Sequence, residues 1–121
     1  MKKVLVIDDD EGVRLTLKHV LATNGYAVIL ASDGLEGVEL ARSCDRLIVL
    51  TDLLMPRLDG IETIRLLKEQ NPEVKIIAMS GGLRMGQGDI LDSAARSGAD
   101  RVIAKPFDLK ALLELLPALE G

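Results

Sequence analysis

The chain is almost without aromatic residues: 121 residues contain no Trp, one Tyr and one Phe, at Tyr26 and Phe107. Proteins that hold single-stranded nucleic acid stack bases on aromatic side chains, so that class has no support here. Positive charge is not in excess either. The net charge is −4 and the pI about 5.0, which attracts neither a phosphate backbone nor an anionic membrane. Cys44 is the single cysteine; it excludes an internal disulfide and fits a reducing compartment. No apolar run approaches transmembrane length and no signal-peptide pattern precedes the first apolar run, so a cytoplasmic protein is expected. There are no internal repeats, low-complexity tracts or linkers. The expectation is one domain over residues 1–121.

What the chain does have is short apolar runs that stop at polar residues. Val4–Ile7 runs into Asp8-Asp9-Asp10, and Leu47–Thr51 into Asp52. Val74–Met79 runs into Ser80, and Val102–Ala104 into Lys105-Pro106. Tyr26–Ala31 is a further run. The runs are continuously apolar, as strands covered by helices on both faces must be. Between them, Val13, Leu17, Val20 and Leu21 form one helical stripe ended by Gly25, and Ile61, Ile64 and Leu67 another, closed by Asn71-Pro72. The stretch with Val38, Leu40 and Ala41 is too small and mixed for an assignment. Ile90–Ser97 reads as a helix capped by Gly98, and Leu109, Leu112, Leu113 and Leu116 line a last helix that Pro117 is expected to stop. Strict β-α alternation with right-handed crossovers predicts an α/β fold with a doubly wound, five-stranded parallel sheet.

Ligands of such sheets bind outside the carboxyl ends of the strands. That edge would hold Asp8, Asp9 and Asp52, with Asp10, Ser80 and Lys105 close by. Crowded carboxylates repel one another, and a divalent cation reverses the penalty, so the cluster argues for Mg²⁺. Mg²⁺ prefers one or two carboxylates, several waters and phosphate oxygens. A carboxylate can also be the nucleophile towards phosphorus, with a lysine neutralising the transferred group and a hydroxyl donating to it.

At these residues the chain resembles a known family, the response-regulator receiver domains of two-component signalling. Ile7-Asp8-Asp9-Asp10 looks like their acidic pair, and Asp52-Leu53-Leu54-Met55-Pro56-Arg57-Leu58-Asp59-Gly60 resembles their phosphoacceptor loop. Ser80-Gly81, and Gly98-Ala99-Asp100 followed by Ala104-Lys105-Pro106-Phe107, are similar to the remaining signatures. The resemblance covers the whole chain and implies a flavodoxin-like (βα)₅ fold with strand order 2-1-3-4-5. It implies that Asp52 accepts a phosphoryl group from a partner histidine kinase or phosphotransfer protein. Asp9 would bind Mg²⁺ directly, Asp8 would help through a water, and the Leu54 backbone carbonyl would complete the protein's share of the shell. Ser80 would hydrogen-bond the phosphoryl oxygen and Lys105 would pair with it. Such a protein is not an enzyme beyond accepting and slowly losing its own phosphoryl group. It signals to a downstream protein target through the surface of its last two helices, with no nucleic acid or membrane, as a monomer or weak homodimer.

Two features depart from the family pattern. Val102 stands where an aromatic switch residue is usual, and it has one stiff χ1 and no hydroxyl. The Ser80-to-Lys105 path is longer than in the commonest members, and its excess is the glycine-rich stretch 81–88.

Other readings compete. The acidic triplet reads alternatively as a solvated turn or the cap of the first helix, and Asp59-Gly60 as a turn. Ser80 could merely cap a turn, and Lys105 could be a surface lysine. His19 is expected to be an exposed helix residue, Cys44 an incidental thiol, and Leu115 with Leu119 a small dimer contact or ordinary surface leucines. Two further functions stand beside the receiver: a degenerate receiver-like interaction module, and a small Mg²⁺-dependent aspartyl phosphatase built on Asp8-x-Asp10. The latter would need a capping segment for which the chain has no insertion.

Overall fold

Five runs of β-branched and aliphatic residues form five parallel strands in a single sheet. The computed structural model describes residues 2–53, 60–81, 97–105 and 108–120. In chain order the elements are β1 (Lys3–Ile7), α1 (Glu11–Thr23), β2 (Ala27–Ala31), α2 (Gly34–Ala41), β3 (Leu47–Asp52), α3 (Gly60–Gln70), β4 (Lys75–Gly81), β5 (Arg101–Lys105) and α4 (Leu109–Leu119). The strand order is β2-β1-β3-β4-β5, as the resemblance implies. Residues 90–96 of the helix expected over Ile90–Ser97 and most of the glycine-rich stretch lie outside the described residues, while Ser97 is helical.

Alternation along the strands divides the core in two. Leu5, Ile7, Val49, Ile76 and Ala78 face one way and pack with Ile64 and Leu67 of α3 and Ala41 of α2. Val4, Val6, Ile48, Leu50, Ile77 and Met79 face the other way, onto Leu17 and Leu21 of α1 and Leu112, Leu116 and Leu119 of α4. Both faces of the central strands are therefore dry, which is why their sequence lacks the polar alternation of a half-solvated sheet.

Side chains set the helix ends. Asp10 caps α1 by accepting from the Val13 N–H (3.2 Å), Asp33 caps α2 through Glu36 (2.8 Å), and Asp108 caps α4 through Lys110 (2.9 Å). The chain leaves α1 through a Schellman turn, in which Tyr26 N donates to Leu21 O and Gly25 N to Ala22 O, with Gly25 at φ 91°.

Two expectations change. Pro117 does not end the last helix, which runs on to Leu119. Its ring is exposed and cannot donate to the Leu113 carbonyl, but burial of Leu119 beside Leu116 holds the final turn in place. For the same reason Leu119 is core, not a surface contact: it follows Leu112 and Leu116 at helical spacing on the buried stripe. The weakly patterned second helix does form. Its leucines Leu35 and Leu40 stay exposed, so burial rests on Gly34, Gly37 and Ala41.

Candidate functional site

Register brings the polar strand ends together. Ile7 lies opposite Thr51, so Asp8 and Asp52 leave their adjacent strands side by side. β1 and β3 flank the point where the strand order reverses, the position at which open α/β sheets bind ligands. On the far side Asp52 is in register with Met79, Ser80 with Ala104, and Gly81 with Lys105.

Carboxylate oxygens of Asp8, Asp9 and Asp52 all lie within 4.8 Å of one another. Asp8 is 1% exposed and Asp52 7%, whereas Asp9 is open to solvent. Two buried acids and one exposed one form a cluster of hard oxygen donors, and such a trio can hold a metal ion. Asp10 stands apart from it, because its carboxylate caps α1. The triplet thus carries both readings of the sequence at once: Asp8 and Asp9 belong to the cluster and Asp10 to the helix.

Backbone contacts hold the cluster in place. Asp8 N donates to Ala31 O (3.1 Å), the Asp8 carboxylate accepts from Asp10 N (2.9 Å), and Arg14 Nη1 donates to Asp8 O (2.8 Å). Beyond Asp52, Leu53 N donates to Met79 O (2.9 Å) and Gly60 N to Leu53 O (3.0 Å), so the end of β3 and the start of α3 are tied to each other and to β4. A Cβ on Gly60 would run into the Leu53 Cα and the Asp52 carbonyl; α3 can start this close to the strand end only with glycine there.

This geometry has known counterparts. Residues 4–117 match the family model described as the response regulator receiver domain. The chain belongs to that family. The response regulator MprA of Mycobacterium sp. (strain KMS) is 36% identical over 119 residues, covering 97% of this chain and 50% of its own length. The chain therefore spans about half the length of the curated relatives it matches. Among solved structures, a response regulator receiver domain protein from Clostridium thermocellum superposes with a TM-score of 0.89 at 29% identity, covering 99% of this chain and 94% of that one. The beryllofluoride-activated NtrC4 receiver domain, solved as a dimer in solution, superposes with a TM-score of 0.88 at 28% identity, covering 98% and 96%.

Within this receiver domain the backbones of Ser80 and Lys105 reach the same sheet edge as Asp52. Leu54, with the rest of 54–59, lies outside the described residues, as does Pro106. His19 is exposed on α1, and Cys44 is buried in the core with its Sγ 3.8 Å from Leu40 O. Val102 is half-buried against the α2/α3 side of the core. Among the described residues no helix is long and apolar enough to cross a membrane.

Two supporting side chains escape a reading of motifs. Arg14 clamps the Asp8 carbonyl, and its only linear signal is a cation four residues after the cap. Asp100 belongs to a recognised signature, but its partners, Lys68 and Ile76, are distant in sequence.

Proposed function

We propose that this receiver domain is a Mg²⁺-dependent phosphoacceptor, with Asp52 taking a phosphoryl group from a histidine kinase or phosphotransfer protein. The observation that carries the reading is the trio Asp8, Asp9 and Asp52, with oxygens within 4.8 Å at the strand-order reversal of a receiver-family chain. An Asp52 carboxylate oxygen attacks the phosphorus and forms the acyl phosphate. The phosphorus–nitrogen bond to the donor imidazole breaks, and the imidazole leaves with that electron pair and picks up a proton. Asp8, Asp9 and Asp52, with the Leu54 carbonyl, would hold Mg²⁺, which when bound would neutralise charge on the phosphoryl oxygens. Ser80 donates a hydrogen bond to the transferred group, and Lys105 supplies a fixed positive charge. Burial of Asp52 keeps bulk water from competing with the donor.

The chain is on this reading an acceptor and not a turnover enzyme, since its own carboxylate is consumed until the acyl phosphate hydrolyses. Output passes to a downstream protein. The activated NtrC4 neighbour supports both a beryllofluoride-binding site and self-association as receiver properties that this chain could share. A cytoplasmic location follows from a kinase donor that carries its phosphohistidine there.

The test is intact mass after incubation with acetyl phosphate, with and without Mg²⁺, on wild type and Asp52→Asn. One added phosphoryl group that requires both Mg²⁺ and Asp52 supports the acceptor. No addition from acetyl phosphate or a kinase, together with no Mg²⁺ binding by titration, reduces the chain to a phosphate-independent interaction module.

A further inference from the structure

Among the described residues β5 is an edge strand, paired with β4 alone, and it carries Lys105 at its end. Its register is poorly specified by its own side chains. Val102 packs against one half of the core and Ile103 against the other, so a slip of one residue exchanges two β-branched residues that differ by one methylene. Such a slip would bring Ala104 or Pro106 opposite Gly81 in place of Lys105, and turn every residue of the strand to the other face.

A polar clamp stands just before the strand. Asp100 N donates to Ile76 O (2.8 Å), and the Asp100 carboxylate accepts from Ile76 N (2.8 Å), so one residue engages both backbone groups of a single partner. Lys68 of α3 holds that same carboxylate oxygen at 3.3 Å and donates to Val74 O at 2.6 Å. Gly98 leaves room for the Lys68 stem, since a Cβ there would approach Lys68 Cγ to 2.8 Å. Lys68 and Asp100 are both about three-quarters covered, with 23% and 24% of their side chains exposed. Only one alignment of β5 satisfies Ile76 twice, so the clamp selects the register.

We propose that Asp100, backed by Lys68, is a positioning residue for phosphoryl acceptance: it sets the register that delivers Lys105 to the site. The inference rests on the acceptor function above. It requires that losing Asp100 and losing Lys105 be the same defect.

The experiment is a double-variant cycle on the rate of phosphorylation by acetyl phosphate, read by intact mass, with Mg²⁺ affinity measured alongside. Lys105→Ala removes one preorganised charge and is expected to slow acceptance on the order of 10²-fold. Asp100→Ala should slow it at least ~10-fold and leave Mg²⁺ affinity unchanged, since Asp8, Asp9 and Asp52 are held by β1 and β3. Asp100→Ala with Lys105→Ala should be no slower than Lys105→Ala alone. Asp100→Asn, which retains an acceptor for Ile76 N–H, should recover most of the rate. Cross-strand NMR contacts between Gly81 and Lys105 should be present in wild type and Asp100→Asn and lost in Asp100→Ala. Wild-type rate in Asp100→Ala, multiplied losses in the double variant, or a parallel fall in Mg²⁺ affinity each overturn the inference. Should Asp100→Ala not fold, Lys68→Met carries the same cycle with a smaller expected loss. A wild type that accepts no phosphoryl group from acetyl phosphate or a kinase and binds no Mg²⁺ overturns the acceptor reading and this inference with it. A wild type that accepts, a slowed Lys105→Ala and an unaffected Asp100→Ala overturn this inference alone.

Discussion

Asp52→Asn should make the metal-free protein more stable and at the same time remove most of the stabilisation that Mg²⁺ confers. Asp8 and Asp52 are 1% and 7% exposed, with oxygens within 4.8 Å of each other and of Asp9. Two like charges at that separation and an effective dielectric near 20 repel by about 3.5 kcal/mol. Part of this is offset by groups that stabilise the carboxylates, such as the Asp10 N–H on Asp8. A net gain of about 1–2 kcal/mol on neutralising one acid is therefore reasonable for the metal-free state. In a domain of this size that is a rise of about 4–8 °C in Tm. On the proposed metal site wild type should have the opposite dependence, since Mg²⁺ at a hundredfold excess over its Kd would add about 2.7 kcal/mol. The assay is thermal unfolding of wild type and Asp52→Asn in EDTA and in saturating MgCl₂, at low and high NaCl. Wild type should gain strongly with Mg²⁺ and the variant weakly, with the EDTA difference narrowing as salt screens the exposed Asp9 contribution. A variant that melts below wild type in EDTA would refute the repulsion argument. Equal Mg²⁺ shifts in the two proteins would place the ion elsewhere.

Asp10→Ala separates the cap from the cluster: it should cost about 1 kcal/mol of unfolding free energy in urea and leave Mg²⁺ affinity near wild type, and a tenfold loss of affinity would return Asp10 to the metal site. Gly60→Ala drives a methyl into the Leu53 and Asp52 backbone, and a loss of about 3 kcal/mol is expected by denaturant titration, with a slower Asp52 phosphorylation rate because the acceptor strand must move. Tyr26 has its pKa raised above the ordinary 10.0, first by burial and then by Glu120. The folded state keeps the phenol proton after the unfolded chain has lost it, so this contribution is complete below about pH 10 and is lost as pH rises through the folded-state value. Tyr26→Phe should therefore lose less Tm than wild type between pH 9 and 11, and identical losses would contradict the sign.

The sheet and its polar edge were legible because both follow from local rules. A strand buried on two faces is mostly apolar, so the acid, hydroxyl or lysine at which its apolar run stops marks the strand's end, and parallel strands all end on the same side. That places Asp8, Asp52, Ser80 and Lys105 at one edge without knowledge of any contact, and the observed registers agree. Decisions that depend on competition between non-local terms were not legible in this way. Pro117 reads as a helix stop from its missing N–H, yet burying Leu119 outweighs one lost hydrogen bond. Asp10 has the same chemistry as Asp8 and Asp9, and only the direction of α1 decides that its carboxylate turns to the Val13 N–H.

The clamp at Asp100 was hidden for a related reason. Its partners are 24 and 32 residues away, on β4 and α3, and no periodicity links them. Motifs name the groups that meet the ligand, whereas the groups that align those motifs are distributed by topology. In an edge strand as weakly patterned as Arg101–Lys105, alignment is not guaranteed by the residues that do the chemistry. A charge placed one residue out of register is on the wrong face of the sheet, so on the proposed function the hydrogen bond to Ile76 would contribute to phosphoryl acceptance by placing Lys105.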